Sequence, residues 1–297
     1  MPRHFLTGAE LQPAELDGLL TRALELKRSP RSSHALEDRI VALIFERPST
    51  RTRISFEVGV VELGGDALVL RSDELQLSRG ESVRDTALVL SRHVDLIGLR
   101  TGSDATLQEL AEHATVPVVN MLSPEHHPCQ ALADLLTMRE AFGTLEGRRL
   151  AYVGDGNNVA RSLAIAGHRA GIEVVVSSPA GYRLQAGSDP DPGLAAVSMI
   201  EDPHAAVAGA SVVYTDVWVS MGDEEQASQR RRDLAAYRVD DALLDAAAPD
   251  VIALHCLPAH PGEEITAEVL YGERQRIWDQ AENRRHAQKA LLELLIA

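Results

Sequence analysis

The chain of 297 residues carries 29 basic against 44 acidic side chains, a formal charge of −15, with 45% apolar and 4% aromatic residues. That apolar fraction excludes a disordered chain, and no apolar run approaches the roughly 18 residues of a membrane-spanning helix. The acidic balance argues against a nucleic-acid binder, which would show a basic face, and the only two lysines, Lys27 and Lys289, stand outside any P-loop or Schiff-base context.

Residues 1–39 carry no motif, and residues 1–8 lack the apolar core of a signal peptide. From there, short apolar runs alternate with longer helical-period stretches. The runs 40–45, 67–70, 94–99 and 116–119 are continuously apolar and read as buried parallel strands. A second set follows at 150–153, 172–176, 212–214 and 251–254. Helical spacing is expected over 52–63, 82–92, 104–113, 129–141, 158–170 and 284–296. This βα repetition implies an α/β protein of two domains, each a parallel sheet flanked by helices. The stretch 130–142 connects the two groups of four strands. The final helix, with Ala287, Ala290, Leu291, Leu294 and Leu295 on one face, is expected to pack back on the first domain. Segment 179–193 reads as a loop, and the polar segment 222–233 as a surface loop or exposed helix start. The two cysteines, Cys129 and Cys256, suit reduced thiols in a cytoplasmic protein.

In open α/β sheets ligands bind beyond the carboxyl ends of the strands. Ser49-Thr50-Arg51-Thr52 follows the first strand and opens a helix. Helix N–H groups, hydroxyls and a guanidinium suit a phosphate, although a Ser49 helix cap with solvated arginines is the plainer alternative. Arg100 ends the third strand, His127-Pro128-Cys129-Gln130 follows the fourth, and His255-Cys256-Leu257-Pro258 follows the last. Their spacing fits no tetrahedral zinc pattern, and strand alternation points His255 away from Cys256. Gly154-Asp155-Gly156-Asn157-Asn158 resembles half of a dinucleotide fingerprint. Its third glycine and its ribose-binding acid are missing, which disfavours a nicotinamide site.

Taken together, these motifs resemble the aspartate/ornithine carbamoyltransferase family, with Asp216-Val217-Trp218-Val219-Ser220-Met221-Gly222 and Ala281-Glu282-Asn283-Arg284 adding two further matches in order. His255-Cys256-Leu257-Pro258 resembles the ornithine branch; the aspartate branch has proline where Cys256 stands. The resemblance implies transfer of the carbamoyl group of carbamoyl phosphate to the δ-amine of L-ornithine, in arginine biosynthesis or the arginine deiminase pathway. It implies a carbamoyl-phosphate-binding domain, 1–133 joined by 283–297, and an ornithine-binding domain, 134–282.

Site roles are carried over from the same resemblance. Ser49, Thr50, Arg51 and Thr52 would hold the phosphate, with Gln76 in a loop that in relatives reaches a neighbouring subunit's site. Arg100, His127, Gln130 and Arg284 would contact the carbamoyl phosphate. Arg100, His127, Cys256 and Arg284 are the catalytic candidates. Asn158, Asp216, Ser220, Met221, Cys256 and Leu257 would hold ornithine. No metal or organic cofactor is implied, and the expected assembly is a homotrimer with shared sites, engaging neither nucleic acid nor membrane. Aspartate, putrescine and N-acylated ornithine are the alternative acceptors; a non-catalytic binding homologue and a nicotinamide dehydrogenase are the alternative classes. Close relatives often carry an arginine in the 259–262 stretch, where this chain has Pro261.

Overall fold

The computed structural model describes residues 2–185, 191–219 and 224–297, and of Ser72, Ser78 and Glu224 the backbone alone. It divides into two compact units: Met1–Leu136 with Glu282–Ala297, and Thr137–Ala281.

The first unit runs α1 (Pro13–Arg28), β1 (Ile40–Phe45), α2 (Thr50–Glu62), β2 (Asp66–Arg71), α3 (Val83–Leu90), β3 (Leu96–Arg100), α4 (Asp104–His113), β4 (Val118–Leu122) and the start of α5 (Pro128–Phe142). Its strands lie in the order β2-β1-β3-β4, every pair parallel. Val41, Ala42, Leu43 and Ile44 are buried, because helices on both faces of a parallel sheet leave its inner strands no solvent side.

The second unit continues with β5 (Arg149–Val153), α6 (Asn158–Arg169), β6 (Glu173–Ser177), α7 (Pro192–Ala195), β7 (Ser198–Met199), α8 (Pro203–Val207), β8 (Val212–Thr215), α9 (Ala227–Leu234), α10 (Asp241–Asp245), β9 (Ile252–His255), α11 (Ala267–Tyr271) and the start of α12 (Ile277–Ile296), a helix that belongs to the first unit from Glu282 on. The sheet order is β7-β6-β5-β8-β9, again parallel throughout. Each sheet therefore reverses its strand order once, at β1/β3 and at β5/β8. Ligands of doubly wound folds collect at such reversals.

The eight expected strands are present with ends shifted by at most three residues. A ninth, β7, escapes a reading based on apolar runs: it has two residues, both exposed, at the sheet edge. Helix α1 buries Leu16, Leu19, Leu20, Ala23 and Leu26 at helical spacing, with Pro13 in its first turn. Of segment 179–193, residues 180–182 form a 3-10 turn and Pro192 opens α7. The polar segment 222–233 differs from expectation at one place. It forms α9 from Ala227 on, and Arg230 is buried rather than exposed.

Helix α12 packs on the helices of the first unit, as expected. Lys289 Nζ donates to Leu26 O at 3.3 Å, Pro30 O at 2.9 Å and Glu62 Oε2 at 2.6 Å. Lys27 Nζ donates to Asn283 Oδ1 at 2.8 Å, and Arg22 grips Glu293 with two donors at 2.7 and 3.1 Å. Gly59 permits the close approach: a Cβ there would lie 3.3 Å from Lys289 Cγ. Removing Lys289 would leave the Glu62 carboxylate in its buried place with Arg285 Nη1, 3.4 Å from Oε1, to pair it, and would leave two carbonyls without their donor. We expect Lys289→Met to destabilise the fold by about 3–5 kcal/mol in chemical denaturation. Glu62→Leu in the same chain should restore most of the loss, and an unchanged midpoint in the single variant would contradict this account.

Candidate active site

The loops leaving β1, β3 and β4 build one cluster in the first unit. Ser49 takes an extended conformation and caps α2, its Oγ accepting from Thr52 N at 3.3 Å. It also donates to Thr52 Oγ1 at 3.0 Å. The capping role is therefore real, and it leaves Ser49 and Thr50 lining an open cavity of about 410 Å³ at the ends of β1 and β2. Thr52 Oγ1 accepts in turn from Arg284 Nη2 at 2.8 Å. Arg284 Nη1 donates to Gln130 Oε1, and Gln130 Nε2 donates to Asp134 Oδ1 at 2.9 Å. A continuous chain of hydrogen bonds thus joins α2, α12 and α5. Thr52, Arg100, His127, Gln130, Asp134 and Arg284 are all buried.

Arg100 ends β3 in register with Phe45 of β1. Glu46 braces the two strand ends: its Oε2 accepts from Thr101 Oγ1 at 2.5 Å and Gly102 N at 3.0 Å, and its backbone N donates to Arg100 O at 2.9 Å. Burial, with the nearby charges of Arg284, Arg100 and Arg51, holds His127 well below its ordinary pKa, so the imidazole is neutral at physiological pH. Burial also pushes the Cys129 thiol up to about 12, and its Sγ donates to Asn120 O at 3.3 Å. Cys129 is thus a structural thiol within the motif. Gln76 stands apart from this cluster, opening an exposed 3-10 turn, Gln76–Arg79.

The loops leaving β5, β8 and β9 build a second cluster in the other unit. Gly154 has φ +134, and a Cβ on Gly156 would run into the backbone of Leu184. The two glycines of the partial fingerprint therefore answer to turn geometry and close packing. Asn157 caps α6, its Oδ1 accepting from Val159 N at 2.9 Å and Tyr152 Oη at 3.1 Å. Its Nδ2 donates to Asp216 Oδ2 at 2.7 Å, and Cys256 Sγ donates to Asp216 Oδ1 at 2.8 Å. Asn158 is the first residue of α6, half-buried beside this array. Ser220 and Met221 lie outside the described residues.

Leu257 takes a left-handed conformation, φ 62, ahead of a cis Pro258. Its N–H donates to His255 Nδ1 at 2.8 Å, while His255 Nε2 lies 3.1 Å from Glu264 Oε1. Since Nδ1 accepts, Nε2 carries the proton and donates to the carboxylate. Burial opposes ionisation of Glu264, but hydrogen bonds from His255 and from His260 N hold its carboxyl below the usual value. His255 does not face away from Cys256 as expected. One ring nitrogen, the thiol and an Asp216 oxygen lie within 4.8 Å of one another, because the strand ends at His255 and alternation ends with it. Both ring nitrogens already have protein partners, which argues against a metal there.

The chain that carries these two clusters, each at the switch point of its own sheet, is similar to known proteins over its whole length. The carbamoyl-P binding domain of the aspartate/ornithine carbamoyltransferases matches residues 3–140, and their Asp/Orn binding domain matches residues 146–295. The chain belongs to the aspartate/ornithine carbamoyltransferase family. It is 53% identical to the ornithine carbamoyltransferase of Acidothermus cellulolyticus, covering all of this chain and 97% of that one. Among solved structures, the ornithine carbamoyltransferase of Pyrococcus furiosus superposes with a TM-score of 0.93 at 45% identity, covering 99% of this chain and 97% of that one. The enzyme of the same name from Thermus thermophilus gives 0.91 at 44% identity, covering both chains fully. This carbamoyltransferase thus has the fold of its family along its full length.

Asn157, Asp134, Glu264 and Glu46 were not singled out in the sequence. Asp134 had a readable signal, being four residues after Gln130 on the same helix face. Asn157 had one too, as a cap position after Gly154-Asp155-Gly156. Glu264 and Glu46 had none.

Acid should weaken the first unit through its histidines. His127 is held well below its ordinary value, and burial lowers His286 of α12 to about 4. An imidazole near 6.5 when unfolded takes up its proton in the unfolded chain first. Stability is then complete above about pH 6.5 and falls as pH drops toward the folded value. We expect the urea midpoint to fall as the pH drops from about 6.5 to about 5.5, before the carboxylates take up protons, and His286→Gln to flatten that fall. A flat wild-type profile across this window would refute the assignment.

Proposed function

We propose that this carbamoyltransferase joins carbamoyl phosphate to the δ-amine of L-ornithine, giving L-citrulline and phosphate. The neutral amine attacks the carbamoyl carbon directly, a tetrahedral intermediate forms, and the bond from carbon to the phosphate oxygen breaks as the nitrogen loses its proton. Direct transfer calls for neither metal nor organic cofactor. The first unit takes the carbamoyl phosphate: Ser49, Thr50, Arg51 and Thr52 bind its phosphate at the start of α2. Arg100, His127 and Arg284 stabilise the developing oxyanion, a duty for which one donor is typically worth about 3–4 kcal/mol. Gln130 orients the carbamoyl group. A neutral His127 keeps an N–H to donate while leaving its other nitrogen as an acceptor.

The second unit takes the acceptor, and the observation that carries the choice of ornithine is the Asn157–Asp216–Cys256 array. Its centre is a carboxylate, which suits the α-ammonium of an amino-acid head and repels the additional carboxylate of aspartate. Asn158, Ser220 and Met221 complete the grip on that head, which disfavours putrescine, and Cys256 and Leu257 stand near the attacking amine. Ornithine's amine has a reference pKa near 10 by analogy with lysine, and exclusion of water favours its neutral form.

The test is citrulline formation without added metal, with ornithine, aspartate, putrescine and N-acetylornithine assayed in parallel. We expect turnover with ornithine alone; preferred use of any other acceptor overturns the assignment. The product places the enzyme in arginine biosynthesis or the arginine deiminase pathway. We place it in the cytoplasm; among the described residues no helix is long and apolar enough to cross a membrane.

The family resemblance implies a homotrimer in which Gln76 serves a neighbouring subunit's site. The exposed position of Gln76 supports this, as do the exposed apolar side chains Ile54 and Val61 of α2, Leu68 of β2 and Leu88 and Val89 of α3. Sedimentation should give three times the chain mass, and a fully active monomer would overturn this reading.

A further inference from the structure

Arg230 lies in the run Arg230-Arg231-Arg232 of α9, outside every motif of the family resemblance. Arg231 and Arg232 are exposed, whereas Arg230 is buried. Its guanidinium meets three separate segments. Nε donates to Trp218 O at 2.5 Å, Nη2 donates to Asp155 Oδ2, and the group lies 5.0 Å from the centroid of the Tyr182 ring. Asp155 follows β5, Tyr182 follows β6 and Trp218 follows β8, so one side chain spans the exits of three adjacent strands. Tyr182 is fixed in turn: its carbonyl accepts from Gly156 N at 2.8 Å, and its hydroxyl donates to Asp233 Oδ2 at 3.0 Å.

This clamp bears on the two candidate residues for the amino-acid head. Asn158 follows β5 and Asp216 follows β8. Thr215 Oγ1 donates to Val153 O at 2.8 Å where the two strands end, and Asn157 Nδ2 donates to Asp216 Oδ2 at 2.7 Å just beyond. Arg230 adds a further tie, gripping Asp155 on one side and, two residues past Asp216, Trp218 O on the other. A planar fork presents separate donors to the carboxylate and the carbonyl and so fixes their spacing, whereas a lysine ammonium offers its donors from a single point. Burying a guanidinium is also a poor way to gain stability alone.

We propose that Arg230 is a positioning residue for the acceptor, holding the β5 and β8 exits at the spacing with which Asn158 and Asp216 grip an α-amino-acid head. It acts through Asp155 and Trp218 and touches no substrate. The proposal rests on the reading that the second unit takes ornithine.

Steady-state kinetics on the full chain test it, with Arg230→Gln, Arg230→Lys and Asp155→Asn beside wild type. Arg230→Gln should raise the ornithine KM about tenfold or more while the carbamoyl-phosphate KM stays within about twofold, since the residues for that substrate lie in the first unit. Asp155→Asn should shift the same constant in the same direction, and Arg230→Lys should recover part of the loss. An ornithine KM within about twofold of wild type in Arg230→Gln overturns the proposal, as does an equal rise in both KM values. If Arg230→Gln does not fold, the other two variants give the same readout. A wild-type enzyme that forms no citrulline overturns the substrate assignment itself, and this proposal with it.

Discussion

The first unit's site depends on one arginine held by two neutral oxygens. Arg284 donates to the Thr52 hydroxyl and the Gln130 amide, and neither bond cancels its charge. An aspartate in either place would orient the guanidinium equally well and weaken its pull on an anion. The arrangement requires α12 to return to the first unit with Arg284 at one depth. That depth is set by Lys289 on Glu62 and two carbonyls, by Lys27 on Asn283 and by Arg22 on Glu293. Lys289 illustrates why a chain so rich in arginine keeps a lysine here. Three acceptors converge on one point, matching the three donors of an ammonium, and a planar fork cannot meet them all.

Both sheets solve the same mechanical problem. Functional side chains leave different strands at a reversal of strand order, so their spacing depends on braces across the gap. In the first unit Glu46 accepts from Thr101 Oγ1 and Gly102 N, locking the β1 and β3 exits that bear Ser49 and Arg100. In the second, Asn157 reaches Asp216 and Arg230 reaches Asp155 and Trp218 O across the β5 and β8 exits. Of these braces only Asn157, a helix cap, sits at a sequence position that advertises it.

That difference explains what could be read from the sequence. Strands β1, β3, β5 and β8 were legible because parallel strands buried on both faces become continuous apolar runs. Ser49, Arg100, His127 and Asp216 were legible because strand ends and helix starts are where chemistry collects, and short motifs mark them. Strand β7 was not, since a two-residue exposed edge leaves no periodicity. Arg230 was not, because three successive arginines look alike and only the tertiary fold decides which one faces inward. His255 was misjudged for a local reason: alternation holds along a strand, and the left-handed Leu257 begins a turn immediately beyond it.

The net charge of −15 now separates into two scales. As an average it describes solubility and indifference to polyanions. Within the first unit burial, reinforced by the charges of Arg284, Arg100 and Arg51, keeps His127 neutral. The neutrality matters chemically. A cationic imidazole beside three guanidiniums would be costly to bury and would have only donors to offer, whereas the neutral ring keeps one donor and one acceptor. In the second unit the sign reverses, with Asp216 at the centre of the array. A cationic site in one unit and a carboxylate-centred site in the other give each unit its own local field, and the global charge records neither.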